Sequence, residues 1–452
     1  MPQTEDKNML KHRPWILLGQ DIMTQYEQCE MEGRDVALYK PVVEAFCKLN
    51  GDQLRPLEGA LEELYKVMDN APIKADFPFT EPSDLAGIFA ACPAEKPALP
   101  PVPDKDAMIA KLKGAWNGRI AGCLLGKPVE GWRRPNLYKM LKETDNFPLR
   151  RYMKYSDFSE EMIKELHIRK SQWADLLNGE ADEDDDTNYT TFALKLVECC
   201  GRDFTPDHVL ACWQSWIPMS ATCTAERVAY RNGAMGLLPP ETATYKNPYR
   251  EWIGAQIRGD YFGYINPGDP KTAADMAWRD ASISHIKNGI YGEMWVAAML
   301  AAAGVTDDLQ TVIDTGLAYI PAASRLRRDL DEIIALHKEG KDAYEVMEHI
   351  HSRYNEFSQN GWCYTNSNAM IVLMALLYGE KDFGKSVCLA VHCAFDTDCN
   401  GATVGSIIGM LNADVPEEWT APFCGRLRTS IEGYNHVDVD FMAEKTYQYI
   451  PR

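Results

Sequence analysis

The sequence predicts an all-helical protein. Apolar residues recur at three- and four-residue spacing in one segment after another, glycine repeatedly stops those segments, and alternating strand-like runs are nearly absent. A third sign is a set of four glycines spaced by four, which lines one face of a helix rather than of a strand.

The elements follow in chain order. Tyr39 to Leu49 and Leu57 to Met68 have helical spacing. Pro93, Pro97, Pro100, Pro101 and Pro103 then favour extended chain, so residues 92–105 read as a linker. The expected organisation is a helical N-terminal extension over 1–91, that Pro-rich linker, and a larger body over 106–452. The body opens with Gly114, Gly118, Gly122 and Gly126. Isolated glycines cost a helix roughly 1 kcal/mol each, so a stripe of them implies a close contact with another helix. Glu130 follows Pro128 at the end of this helix rather than within it.

Further on, Ala193, Leu196, Val197 and Cys200 form a helical stripe stopped by Gly201. Ile290 to Ala303 stops at Gly304, and Ser367 to Tyr378 stops at Gly379. Between Thr242 and Pro270, Tyr245, Tyr249, Trp252, Tyr261, Phe262 and Tyr264 are mixed with glycine and proline. This segment reads either as a loop packed on the core or as the wall of a pocket for a base or sugar.

A chain of 452 residues is long enough to bury a large core. Its net charge of −19 argues against nucleic-acid binding and makes an anionic ligand awkward without local cations. The longest apolar run, Met370 to Tyr378, is too short to span a bilayer, and Met1 to Gln20 is charged rather than signal-like. No membrane association is expected. The thirteen cysteines are scattered without a Cys-x-x-Cys pair, which fits reduced thiols and a cytoplasmic location.

Two acidic runs stand out, Asp184-Asp185-Asp186-Thr187 and Asp396-Thr397-Asp398-Cys399-Asn400, more than 200 residues apart and each followed by a helical pattern. Aspartates often cap helices, and acidic runs are often solvated. The second run, however, lies between the apolar Val387 to Val391 and a helix carrying Gly401, Gly405 and Gly409. Five carboxylates gathered at helix N-termini would repel one another unless divalent cations neutralised them, and hard oxygen donors favour Mg2+, Mn2+ or Ca2+ over zinc. An EF-hand reading of Asp396, Asp398, Asn400 and Gly401 fails at its twelfth position, Ile407. A haloacid-dehalogenase reading fails for want of a later lysine and acidic pair.

Taken together, Gly126 to Glu130, Asp184 to Thr187 and Phe395 to Gly409 resemble the ADP-ribosylglycohydrolase family in kind and in order. The family patterns are Gly-x-Pro-x-Glu, Thr/Ser-Asp-Asp-Thr and Gly-Asp-Thr-Asp-Thr-Asn, so Asp184 and Cys399 stand where an oxygen ligand from Thr or Ser is expected. The resemblance implies an orthogonal multi-helix bundle with the N-terminal region appended. It implies a hydrolase of a ribosyl C1 bond with two divalent ions, Mg2+ or Mn2+, held by Asp184, Asp185, Asp186, Asp396, Asp398 and Cys399. Asp398 is implied as the metal-bridging residue and Glu130 as the residue that orders water or gates the site. Asn232 and Gly233 look like the family's Asn-Gly loop near the substrate, and Asp280 to His285 looks like its helix carrying a Ser/Thr-His pair, with His285 a substrate contact. The implied substrate is an ADP-ribosylated protein or a smaller ribosylated molecule. From another class comes a non-catalytic binding descendant, against which the intact aspartates argue.

Overall fold

A computed structural model describes Trp15, residues 18–170 and residues 172–451. Among them helices dominate, and the strand pairing is confined to a short antiparallel ladder, β1 (Arg426–Arg428) with β2 (His436–Asp438), in which Leu427 faces Val437. Among the described residues no helix is long and apolar enough to cross a membrane.

Eight helices position the site or its support. They are α1 (Ile22–Met31), α2 (Glu58–Asp69), α3 (Lys105–Gly126), α4 (Asp185–Cys200), α5 (Thr224–Ala234), α6 (Lys287–Ala303), α7 (Thr365–Tyr378) and α8 (Thr397–Asn412). The expected stops hold. Gly201 ends α4 with φ +74, a conformation open to glycine without a Cβ clash, and Gly304 and Gly379 cap α6 and α7. At its start, α3 is capped by Asp104, whose side chain accepts from the Ala107 N–H.

The apolar residues divide into two clusters. The large one runs through α3 to α8, where α6, α7 and α8 are buried on nearly every face and so show no amphipathic stripe. The aromatic segment belongs to it: Tyr249, Trp252, Tyr261, Phe262 and Tyr264 are buried. Packing on the core is therefore the reading that holds for them, while Tyr245 lines a cleft against α2. The smaller cluster joins α1 and α2 through Ile22, Tyr26, Cys29, Leu61, Leu64, Tyr65 and Met68.

Met31 of α1 packs against the large cluster, and a set of buried polar groups joins the two. Glu32 accepts from Arg250 Nε and Lys287 Nζ, both at 2.6 Å. Gln28 donates to Glu251 Oε1 at 2.8 Å, and Arg325 bridges Glu251 and Glu81. Asn360 donates to Glu27 Oε2 at 2.7 Å and accepts from Trp252 Nε1 at 2.7 Å. All are buried or nearly so, and each charge has an opposite charge or a hydrogen bond, as buried polar groups require.

Candidate active site

Helices α3 and α8, distant in the chain, lie antiparallel with glycine facing glycine. A Cβ on Gly114, Gly118 or Gly122 would meet the carbonyl oxygen of Gly409, Gly405 or Gly401 at 2.1, 2.0 and 1.9 Å. This is the close helix contact that the stripe implies, and it fixes where both helices end. Thr397 Oγ1 donates to the Gly126 carbonyl at 2.9 Å, so the C-terminus of α3 delivers Lys127 and Glu130 to the N-terminus of α8 with Asp396, Asp398 and Cys399.

The start of α4 is clamped onto the same place by Arg119, which projects from α3. Its Nε and Nη2 donate to the Asp186 carbonyl, Nη2 also reaches Asp186 Oδ1 at 3.0 Å, and Nη1 lies 2.9 Å from Asp260 Oδ2. Asp184 caps α4, accepting from the Asp186 N–H at 3.0 Å, and its other oxygen lies 3.0 Å from Lys127 Nζ. Asp396 also sits at a helix N-cap, but its side chain does no capping. Its Oδ2 accepts instead from the Cys363 thiol at 3.4 Å.

Ligand atoms from three groups of residues lie within 4.8 Å of one another: Glu130, Asp396 and Asp398; Asp186, Asp398 and Cys399; and Cys123, Asp184 and Asp186. Asp186 and Asp398 each serve in two of these. The electrostatics are those of a crowded anion site. The Asp398 charge first, then burial, pushes Glu130 well above the usual carboxylate range, although Glu130 lies at the exposed lip. Burial, then neighbouring carboxylates, does the same to Asp185 and Asp396. Asp186 is raised by burial in spite of Arg119, and Asp398 is pushed up to about 6 by burial and Asp184. Burial also acts to raise Asp184, but the Lys127 ammonium outweighs it and holds that carboxyl below the usual range.

These carboxylates cannot all be ionised together without added positive charge. Asp186 Oδ2 and Asp398 Oδ1 are buried without a hydrogen-bond partner. Two unpartnered hard oxygens amid further carboxylates fit a divalent cation. The flanking thiols of Cys123 and Cys399 fit it less well; burial and the surrounding charges hold both protonated.

The sequence model of the ADP-ribosylglycohydrolase family matches residues 104–450. The chain belongs to the ADP-ribosylglycohydrolase family. No curated protein matches it. A solved structure reported as an ADP-ribosylglycohydrolase-related protein complex aligns at 17% identity and a TM-score of 0.46, covering 76% of this chain and 99% of that one.

Membership makes this a glycosidase-type hydrolase with a helical fold, acting on ADP-ribose-related substrates. Two family motif segments depart from expectation in their geometry. The Asn-Gly pair is not in a loop but in the last turn of α5, because Asn232 is buried and its amide spans to the carbonyls of Thr242 and Tyr245 at 2.9 and 2.8 Å. Its oxygen accepts from Arg231, so the amide is spent on tethering residues 242–245. Gly233 packs against Leu210 and Gln214. His285 lies not on a helix but in the turn after Pro270–Ala281; its Nδ1 is 2.8 Å from Ser284 Oγ, and Nε2 is 4.0 Å from Glu226 Oε1. Burial and then Arg258 hold it well below its usual pKa, hence neutral.

His285 is not among the residues of the three ligand groups. Residues that sequence reasoning passed over do surround this carboxylate site. They are Arg119, Lys127, Cys123, Cys363, and Glu226, which is held by Arg258 at 2.7 Å. Lys127 lies inside the Gly-Lys-Pro segment, and Arg119 is a lone cation in an apolar glycine helix. Both were visible signals.

Proposed function

We propose that the protein hydrolyses a ribosyl C1 bond with the help of two divalent cations, Mg2+ or Mn2+. The observation that carries this reading is the meeting of Asp186 and Asp398, from the two distant acidic runs, with unpartnered buried oxygens. Asp184, Asp185, Asp186, Asp396 and Asp398 would hold the ions, with Cys399 at their edge. When bound, they would supply charge to fix vicinal ribose hydroxyls and a water molecule.

The remaining chemistry belongs to the chain. Departure of the group on C1 builds positive charge on the ring, which the surrounding carboxylates stabilise. Glu130, raised in pKa and at the lip, is placed to hold a proton and pass it to or from water; positioned proton transfer typically contributes roughly 100- to 10,000-fold. Arg119 keeps Asp186 aimed at the centre, and Cys363 does so for Asp396. Asn232 tethers residues 242–245, and Arg258 holds Glu226.

The reading extends to organisation and setting. Residues 106–452 form the catalytic body and residues 1–91 a helical extension joined by the linker at 92–105. The protein works in the cytoplasm on an ADP-ribosylated protein or a smaller ribosylated molecule. The test is incubation of metal-loaded protein with ADP-ribose adducts of arginine and serine and with a panel of N-ribosides, products being identified by mass spectrometry. Release of ADP-ribose marks the first substrate class, and release of ribose or its phosphate marks the second. No turnover of any of them overturns the catalytic reading.

A further inference from the structure

The cations around the carboxylate site are nearly all committed. Lys127 pairs with Asp184 at 3.0 Å, Arg119 with Asp186 and Asp260, and Arg258 with Glu226 and Asp280, both at 2.7 Å. Arg133 is different. It follows Glu130 by three residues, is half-buried, and has no carboxylate within ion-pairing distance among the described residues; its Nη1 donates only to the Gly131 carbonyl at 3.1 Å.

What holds Arg133 is an aromatic face. Its guanidinium lies 5.0 Å from the centre of the Trp362 ring. Trp362 precedes Cys363, whose thiol donates to Asp396. Both strands of connection, Glu130 to Arg133 and Asp396 to Trp362, therefore bring the Arg133–Trp362 pair to the lip of the Glu130, Asp396 and Asp398 group. Burial lowers the Arg133 pKa while the charges of Glu356, Cys363 and Asp396 act against that, which agrees with its place beside the cluster.

We propose that Arg133, held over the Trp362 ring, is the specificity-determining contact for an anionic group of the substrate, a phosphate carried by the ribose. This rests on the ribosyl-hydrolase reading above. A planar guanidinium offers a two-pronged donor that matches phosphate oxygens, and a cation–π contact with an indole holds the fork in place without using its donors. In a chain of net charge −19, with carboxylates crowded at the reacting centre, a phosphorylated ligand needs such a local cation to approach at all. A neutral riboside would not.

The test is calorimetric titration of the metal-loaded full-length protein with ribose, ribose 5-phosphate and ADP-ribose, for wild type, Arg133→Gln, Arg133→Lys and Trp362→Leu. Wild type should bind the phosphorylated ligands at least about tenfold more tightly than ribose. Arg133→Gln should erase that preference, and Arg133→Lys should restore part of it, keeping the charge without the fork. The stronger of the two phosphorylated ligands tells a monophosphate from a diphosphate-linked base. Equal binding of ribose and ribose 5-phosphate by wild type, no binding of either phosphorylated ligand, or an unchanged preference in a folded Arg133→Gln would overturn the proposal. Binding is read without turnover, so a failed glycosidase assay leaves this result standing. Turnover without phosphate preference sinks this proposal alone.

Discussion

Gly122 and Gly401 approach each other so closely that neither can carry a side chain. A Cβ on Gly122 would lie 1.9 Å from the Gly401 carbonyl oxygen, and one on Gly401 would lie 2.4 Å from that of Gly122. The obstacle on each side is backbone, which cannot swing aside. Gly122→Ala should therefore destabilise by about 3 kcal/mol or more, at the upper end for overpacking. Gly59, inside α2 with nothing within 4 Å of its would-be Cβ, is the contrast: Gly59→Ala should stabilise by about 0.5–1 kcal/mol. Urea unfolding of both variants checks the pair.

Saturating Mg2+ or Mn2+ should raise the melting temperature, and EDTA should lower it. The cation offsets the burial and mutual repulsion that raise Asp185, Asp186 and Asp396, and the repulsion from Asp398 that leads in raising Glu130. At 100 times its dissociation constant a ligand stabilises by roughly 2.7 kcal/mol. Identical melting curves with and without millimolar metal would count heavily against the site.

Asp398→Asn should remove turnover, by about 100-fold or more, while leaving the fold intact. The side chain keeps its volume but loses the charge that most strongly raises Glu130 and that belongs to two of the three ligand groups. The same variant should show a much reduced melting response to metal. Near wild-type activity under saturating metal would move the reacting centre elsewhere.

Cys399→Thr should lower the Mg2+ concentration needed for half-maximal activity and weaken any preference for Mn2+. The Cys399 sulfur belongs to the Asp186–Asp398 group, and a protonated thiol is a poor donor to Mg2+ where a hydroxyl is a fair one. A metal titration identical to wild type would place position 399 outside the metal's contacts.

Two buried histidines should make the fold sensitive to acid. Burial holds His392 and His351 at about 4, against an ordinary value of 6.5. A depressed folded pKa means that the unfolded chain takes up the proton first, so stability is full above about 6.5 and is lost as pH falls from there to 4. The crowded carboxylates titrate in the opposite sense, so the effect is read as a difference. Wild type should lose about 2 to 3 kcal/mol relative to His392→Phe between pH 7 and 4. His392 stacks on Tyr138 with ring centres 4.6 Å apart, a contact that phenylalanine preserves. Parallel stability curves would refute the assignment.

The parts of this protein legible in its sequence are those whose chemistry is local. Asp184 to Asp186 and Asp396 to Asp398 declare themselves by like charge at short spacing, and Gly114 to Gly126 by a cost that only a partner helix offsets. Gly201 reads as a helix stop because only its backbone is at issue. What stayed hidden depends on pairs far apart in the chain. Glu226 and Arg258 leave no period to detect, and each looks like an ordinary surface charge until the fold buries it. Asn232-Gly233 reads as a turn because that dipeptide favours one; two long-range hydrogen bonds from the Asn232 amide hold it in a helix instead.

The family match begins at residue 104, yet helix α1, which precedes it, is not mechanically remote from the carboxylate cluster. Glu27 on α1 accepts from Asn360, Asn360 shares one short helix with Cys363, and Cys363 donates to Asp396. The scaffolding of the carboxylates thus reaches across that boundary at residue 104. A substitution at Glu27, outside the matched range, is only three links from a carboxylate that would hold metal.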